Sequence, residues 1–208
     1  MAEFIHLKNF GFLQTKLPTN LFIKLKEECQ NVKGAKEMSG LSGKGVPKHV
    51  YIKKYFPELK DYILHCVDEY DKNFKYTETL KFLNKDAPFF VAPPWVNIQK
   101  RYDFLPIHHH EGILSYNIWI QIPYDIKKEL EGGEGVRKGR NRPGGAAQLQ
   151  FIYPMAHGTL GSHIFNLSKL DEGKLIMFPS LFVHALYPFY TTTNVRLSIA
   201  GNILLEVK

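Results

Sequence analysis

The side chains of this sequence best suited to hold a metal are packed into Ile107-His108-His109-His110-Glu111-Gly112, read together with one distant partner, His184. Three consecutive imidazoles and a carboxylate lie between two strand-like runs. Two nitrogens and one carboxylate oxygen on one face of an iron leave three coordination positions open for other ligands, the facial arrangement of non-haem Fe(II) chemistry. A His-x-Glu pair supplies two such ligands and a remote histidine the third. His109 and Glu111 have that spacing, and His108 with His110 is the competing pair.

Strand parity offers a choice, because side chains two apart share a face. If the extended run after Gly112 keeps its phase, Ser115, Asn117, Trp119 and Gln121 occupy one face and Leu114, Tyr116, Ile118 and Ile120 the other. The first face suits a polar cavity and has the parity of His109 and Glu111. The expected ligand set is therefore His109, Glu111 and His184, with Gly112 as the point where the phase could break.

A second group lies near the C-terminus. The run Gly173 to His184 joins an apolar strand, a Phe178-Pro179-Ser180 turn and the distal histidine. In the next strand alternation puts Arg196, Ser198, Ala200 and Asn202 on one face, and Val195, Leu197 and Ile199 on the other. An inward guanidinium beside a hydroxyl makes a carboxylate clamp. A buried Arg needs a counter-charge, so a dianionic co-substrate would explain it; an internal salt bridge to Asp or Glu is the alternative.

The elements that must position these groups are read from periodicity. Apolar residues at 21, 22, 25 and 29 predict an amphipathic helix after Pro18, with Thr19 or Asn20 as its cap. Leu59, Ile63, Cys66, Val67, Tyr70 and Phe74 predict a second helix over about 57–74. The stretch 34–48, with Gly34, Gly40, Gly43 and Gly45, reads as a flexible excursion. From Leu80 onward short strands take over: 80–83, 89–92, 95–102, 114–122, 147–153, 162–166, 174–178, 184–189 and 195–207. Strands without intervening helices predict an antiparallel jelly roll around a ligand site, with both helices packed on one sheet. The polar insert 125–145 reads as a surface loop that could cover the cavity mouth.

Length and composition bound the rest. The 208 residues fit a single domain, 1–78 as helical N-terminal support and 79–208 as the jelly-roll core. No run is long and apolar enough to span a bilayer and the start shows no secretory signal, so a cytoplasmic protein without membrane contact is expected. Cys29 and Cys66 make no metal or redox spacing. The formal charge of +7 favours acidic partners. Its densest run, Arg137 to Arg142, comes with no nucleic-acid-binding motif, so no specific nucleic-acid binding is expected. His157 and His163 flank a glycine-containing turn and are left out of the site.

In combination, His109-His110-Glu111, His184 and Arg196-x-Ser198 resemble the 2-oxoglutarate and Fe(II)-dependent oxygenase superfamily. Leu114-Ser115, Phe178-Pro179-Ser180 and Arg196-Leu197-Ser198-Ile199 resemble its small bacterial and phage members akin to prolyl hydroxylases. The resemblance covers about residues 95–204. It implies a mainly β, α+β protein built on a double-stranded β-helix, using Fe(II), 2-oxoglutarate and O2 and releasing succinate and CO2. By resemblance, His109, Glu111 and His184 hold the iron, while Arg196 and Ser198 bind the distal carboxylate of 2-oxoglutarate. Tyr102, with Gln99 as substitute, resembles the tyrosine that helps hold that carboxylate, and Asn117 on the polar face joins the cofactor-binding set. Glu111 stands where Asp is usual, and a retained carboxylate speaks against a halogenase. A small-molecule or peptide substrate follows, either a peptidyl or a free amino acid. The competing readings are a cupin-like metal-binding jelly roll, which needs no carboxylate clamp, and a non-catalytic interaction module.

Overall fold

A computed structural model describes residues 10–32, 48–80, 88–132 and 145–206. The elements in order are β1 (Leu13–Lys16), α1 (Thr19–Gln30), β2 (Lys48–Tyr51), α2 (Phe56–Phe74), α3 (Tyr76–Thr79), β3 (Phe89–Val91), β4 (Trp95–Gln99), β5 (Leu105–His108), β6 (Leu114–Gln121), α4 (Ile126–Gly132), β7 (Gln148–Pro154), β8 (Leu160–Asn166), β9 (Lys174–Pro179), β10 (Val183–Leu186) and β11 (Arg196–Leu205).

The strands form two antiparallel sheets. The larger has seven strands in the order β1-β9-β6-β11-β4-β2, with β3 pairing the far end of β11; the smaller runs β5-β10-β7-β8. Facing one another, they make the double-stranded β-helix. Each long strand of the larger sheet is buried on both faces, so its residues divide between two cores. Tyr116, Ile118, Ile120, Leu197 and Ile199 meet Leu21, Leu25 and Cys29 of α1 and Leu59, Ile63 and Tyr70 of α2. Trp119, Ile176 and Phe178 point the other way and pack between the sheets against Leu149, Phe151 and Leu186. The alternation expected in β6 is the one observed.

Both N-terminal helices lie where their apolar spacing required, on the outer face of the larger sheet. The start of α1 differs from expectation: Pro18 is the N-cap, with φ near −52°, no side chain caps the helix, and Thr19 and Asn20 lie inside it. Proline supplies a preset backbone angle instead of a side-chain acceptor. The N-terminal part also gives the larger sheet β1 and β2, and neither β2 nor β5 is expected from the sequence pattern. Of the insert 125–145, Ile126–Gly132 is helical. Residues 133–144, with the basic run Arg137 to Arg142, lie outside the described residues, as do 33–47 and most of the expected strand 80–83.

Candidate metal centre and its cavity

β5 and β10 are neighbours in the smaller sheet, and their register places His108 directly opposite His184. After His108 the strand ends and the chain crosses to the larger sheet. There the His110 amide donates to the Ser180 carbonyl at 2.9 Å and the Ile113 amide to Ile203 at 2.8 Å. Between them Gly112 has φ of +108°, and a Cβ on it would lie 2.7 Å from the Ile203 carbonyl oxygen. Only glycine takes this conformation without strain. The turn shifts the phase by one residue, so even-numbered His108 and His110 face the same interior as odd-numbered Ser115, Asn117 and Trp119.

As a result His108, His110 and His184 come together, each offering a ring nitrogen, all within 4.8 Å of one another. His184 is 6% exposed. Each histidine uses Nδ1 for a hydrogen bond outside the cluster: His108 to the Pro106 carbonyl at 2.6 Å and His184 to the Phe182 carbonyl at 2.9 Å. His110 Nδ1 lies 3.1 Å from Asn202 Oδ1, which also accepts from the Ser115 hydroxyl at 2.9 Å. A carbonyl oxygen can only accept, so Nδ1 carries the proton and Nε2 presents a lone pair. His110 Nε2 and His184 Nε2 then face each other at 3.3 Å with no proton between them. With metal–nitrogen bonds of about 2.1 Å, adjacent ligand nitrogens stand roughly 3.0–3.4 Å apart, so this approach fits a shared ion. Burial, then the nearby His108 ring, lowers the His110 pKa to about 4 and the His184 pKa to about 3, keeping both imidazoles neutral as a metal requires.

Of the expected ligands, His109 lines the same cavity outside this cluster. Both it and Glu111 are exposed, and Glu111 is outside the cluster. Among the described residues the cluster contains no carboxylate. His157 and His163 are also outside it.

Arg196 is 1% exposed at the start of β11. Its Nε and one terminal nitrogen donate to Gln99 Oε1, and its other contacts are the Tyr124 hydroxyl at 2.7 Å, the Ala147 carbonyl at 3.2 Å and the Tyr187 carbonyl at 3.1 Å. The rings of Tyr124 and Phe189 lie 5.6 Å from the guanidinium carbon. Each of these acceptors is neutral, and no ion pair to Arg196 is present among the described residues. The salt-bridge alternative is thus not what the fold builds: a buried cation is solvated by dipoles, leaving a net positive charge for an anion. Ser198 instead accepts from Asn97 Nδ2 at 3.3 Å, and Asn97 Oδ1 receives the Trp95 indole N–H at 3.1 Å.

The structure places Tyr102 on a turn, 48% exposed with φ of +72°, beside Tyr190. Lys100 and Asp103 close that turn, with Lys100 N–H donating to Asp103 Oδ2 at 2.8 Å, and this carries Tyr102 outward. Gln99 contacts Arg196 directly. The tyrosine beside the guanidinium is Tyr124, missed from the sequence because it lies just past β6, with no motif around it.

A cavity of about 640 Å³ opens on the histidine cluster; its walls include Trp95, Asn97, Asn117, Trp119, Leu149, Phe178, Leu186 and Asn202. Asn117 Nδ2 is buried there with no hydrogen-bond partner among the described residues, a donor in want of an acceptor.

Comparison with known proteins agrees with this geometry. Residues 94–202 match the model of the family described as "Putative 2OG-Fe(II) oxygenase". No curated protein matches the chain. Among solved structures, a Pseudomonas putida prolyl-4-hydroxylase aligns with a TM-score of 0.58 and 17% identity, over 95% of this chain and 94% of that one. A prolyl hydroxylase from Trichoplax adhaerens, in complex with a hypoxia inducible factor peptide fragment, aligns with a TM-score of 0.54 and 13% identity, over 94% and 83%. A viral collagen prolyl hydroxylase from Paramecium Bursaria Chlorella virus-1 aligns with a TM-score of 0.51 and 13% identity, over 95% and 96%. At these identities the structures establish the fold, while the family match covers more than half of the sequence, including all three clustered histidines and Arg196. This chain belongs to the 2OG-Fe(II) oxygenase family, whose members are dioxygenases requiring Fe(II), 2-oxoglutarate and O2.

Proposed function

We propose that His108, His110 and His184 hold the Fe(II), and that Asn117 and Arg196 hold the 2-oxoglutarate, of an enzyme hydroxylating a peptidyl or free amino acid. The observation that carries this reading is the convergence of three imidazoles whose Nδ1 atoms all bond oxygens outside the cluster, leaving the Nε2 atoms to converge. With Fe(II) and 2-oxoglutarate bound, the site would couple conversion of 2-oxoglutarate to succinate and CO2, which takes one atom of O2, to insertion of the other oxygen atom into a substrate C–H bond, giving C–OH.

The chain's own work is positioning. Pro106, Phe182 and Asn202 fix the ring orientations, an outer layer that raises ligand basicity and preorganises the site. Asn117 supplies an unpaired N–H donor within the cavity. Arg196 supplies the charge, and the Tyr124 hydroxyl, which accepts from Arg196 and donates to the Ala147 carbonyl at 3.2 Å, holds the guanidinium in position. Phe178, Leu149 and Leu186 keep water from the reacting centre. Three neutral ligands leave the full +2 charge of the ion for a dianionic chelate, favouring 2-oxoglutarate over a neutral co-substrate.

The amino-acid or peptide substrate is supported by the structural likeness to prolyl hydroxylases, one in complex with a peptide fragment. A cytoplasmic setting is supported by Cys29 and Cys66, both free and buried. No helix of the described residues is long and apolar enough to cross a membrane. The reading is tested by oxidation of 2-oxoglutarate to succinate with a panel of peptides and amino acids, run with and without Fe(II). Metal-independent succinate formation, or none with any metal, would reject it.

A further inference from the structure

His49 is an anomaly in the cavity wall. It stands on β2 opposite Asn97 of β4 and is 7% exposed, yet neither Nδ1 nor Nε2 has a hydrogen-bond partner among the described residues. A buried polar group left unpaired costs on the order of 1–3 kcal/mol, so a fold that keeps one invites a ligand to satisfy it. The ring is held by stacking: His49 lies nearly parallel to Trp95 at 6.4 Å and 22°, and Trp95 lies nearly parallel to His110 at 6.0 Å and 17°. The Trp95 indole is itself fixed by Asn97. A continuous aromatic stack therefore runs from β2 to the metal cluster, and its outer member carries the free polar atoms.

The rest of the wall narrows the ligand. The described residues that line the cavity include no Lys, Arg, Asp or Glu. Once 2-oxoglutarate has taken up the charges of the metal and of Arg196, the ammonium and carboxylate of a free amino acid would have to shed water there without counter-charges, which is strongly unfavourable. A neutral imidazole, by contrast, offers one N–H donor and one acceptor nitrogen, the complement of a peptide amide.

Building on the oxygenase reading above, we infer that His49 is a substrate-binding residue that hydrogen-bonds an amide of an uncharged substrate segment, so that this site takes an amide-linked residue and excludes the free amino acid.

Both tryptophans of the chain, Trp95 and Trp119, line the cavity, so their fluorescence reports its occupancy. Protein loaded with Mn(II), which does not turn over, is titrated first with 2-oxoglutarate and then with a set of N-acetyl amino-acid amides and the same amino acids unblocked. At least one blocked amide should give a saturable change with a midpoint at least tenfold below that of its free form. His49→Phe, which keeps the stack and removes the nitrogens, should raise that midpoint about tenfold, and His49→Gln should recover most of the loss. Equal binding of blocked and free forms, no binding of any blocked amide, or an unchanged midpoint in both variants would overturn the inference while a 2-oxoglutarate response leaves the cofactor site standing. Absence of the 2-oxoglutarate response would overturn both.

Discussion

His110 Nε2 and His184 Nε2 approach to 3.3 Å although the Nδ1 atoms of both rings are committed to other oxygens. Two lone pairs facing one another in a buried site repel unless a cation lies between them. The pair is the structural sign that this site is built for a metal, and it makes the outer contacts of each ring testable.

Asn202 receives both His110 and Ser115. Asn202→Leu removes the acceptor that fixes the His110 ring while keeping a similar volume. Metal affinity should fall about 10- to 100-fold, the usual effect of losing such a support, with the fold intact by circular dichroism. An unchanged affinity in a metal titration would mean that the His110 orientation is set elsewhere.

Arg196 and Tyr124 make a second test. Arg196→Lys keeps a charge but loses the planar fork, and should weaken 2-oxoglutarate binding at least about tenfold while metal binding is retained. Tyr124→Phe leaves the Arg charge in place and should weaken it less. Thermal shift with and without 2-oxoglutarate reads the effect, since a ligand that binds only the folded state raises the melting temperature.

Gly112 sets the phase on which the site depends. Gly112→Ala puts a side chain at φ of +108° and a Cβ 2.7 Å from the Ile203 carbonyl oxygen. A loss of roughly 2 kcal/mol or more in denaturant unfolding should result, together with loss of metal binding as the turn relaxes and His110 moves. Retained metal binding at reduced stability would separate the turn from the site.

The cysteines should be inert in the folded protein. Burial raises the Cys66 pKa to about 11 and that of Cys29 further, the nearby Glu28 charge adding to the latter. Only the thiolate reacts, so the raised pKa of Cys66 cuts its thiolate fraction near pH 8, and with it the alkylation rate, about a hundredfold relative to the unfolded chain. Rapid labelling of native protein would place either thiol in a more open setting.

Most of the architecture was legible in the sequence, because burial writes itself as period: about 3.6 in α1 and α2 and about 2 in β6 and β11. The short β2 and β5 were not, since four residues hold too little pattern, and a proline, here Pro106 in β5, weakens a strand signal further. The site was legible as a composition and ambiguous as a geometry. Arg196 was found because it stands on a strand with clear alternation, and His184 as the distal histidine that follows the Phe178-Pro179-Ser180 turn. The choice between His109 with Glu111 and His108 with His110 turned on whether phase survives Gly112, a backbone angle that side-chain pattern does not encode. Tyr124 and His49 carried no local signal at all: His49 gains its place from the pairing of β2 with β4, and Tyr124 from hydrogen bonds to Arg196 and Ala147.

The most direct test of the three-histidine metal centre is anaerobic titration of Fe(II)-loaded protein with 2-oxoglutarate, following the visible charge-transfer band of the chelated keto acid in wild type, His108→Ala and Glu111→Ala. A saturable band is expected in wild type and Glu111→Ala and none in His108→Ala. A band that survives His108→Ala and disappears in Glu111→Ala would contradict the assignment and return the carboxylate to the iron.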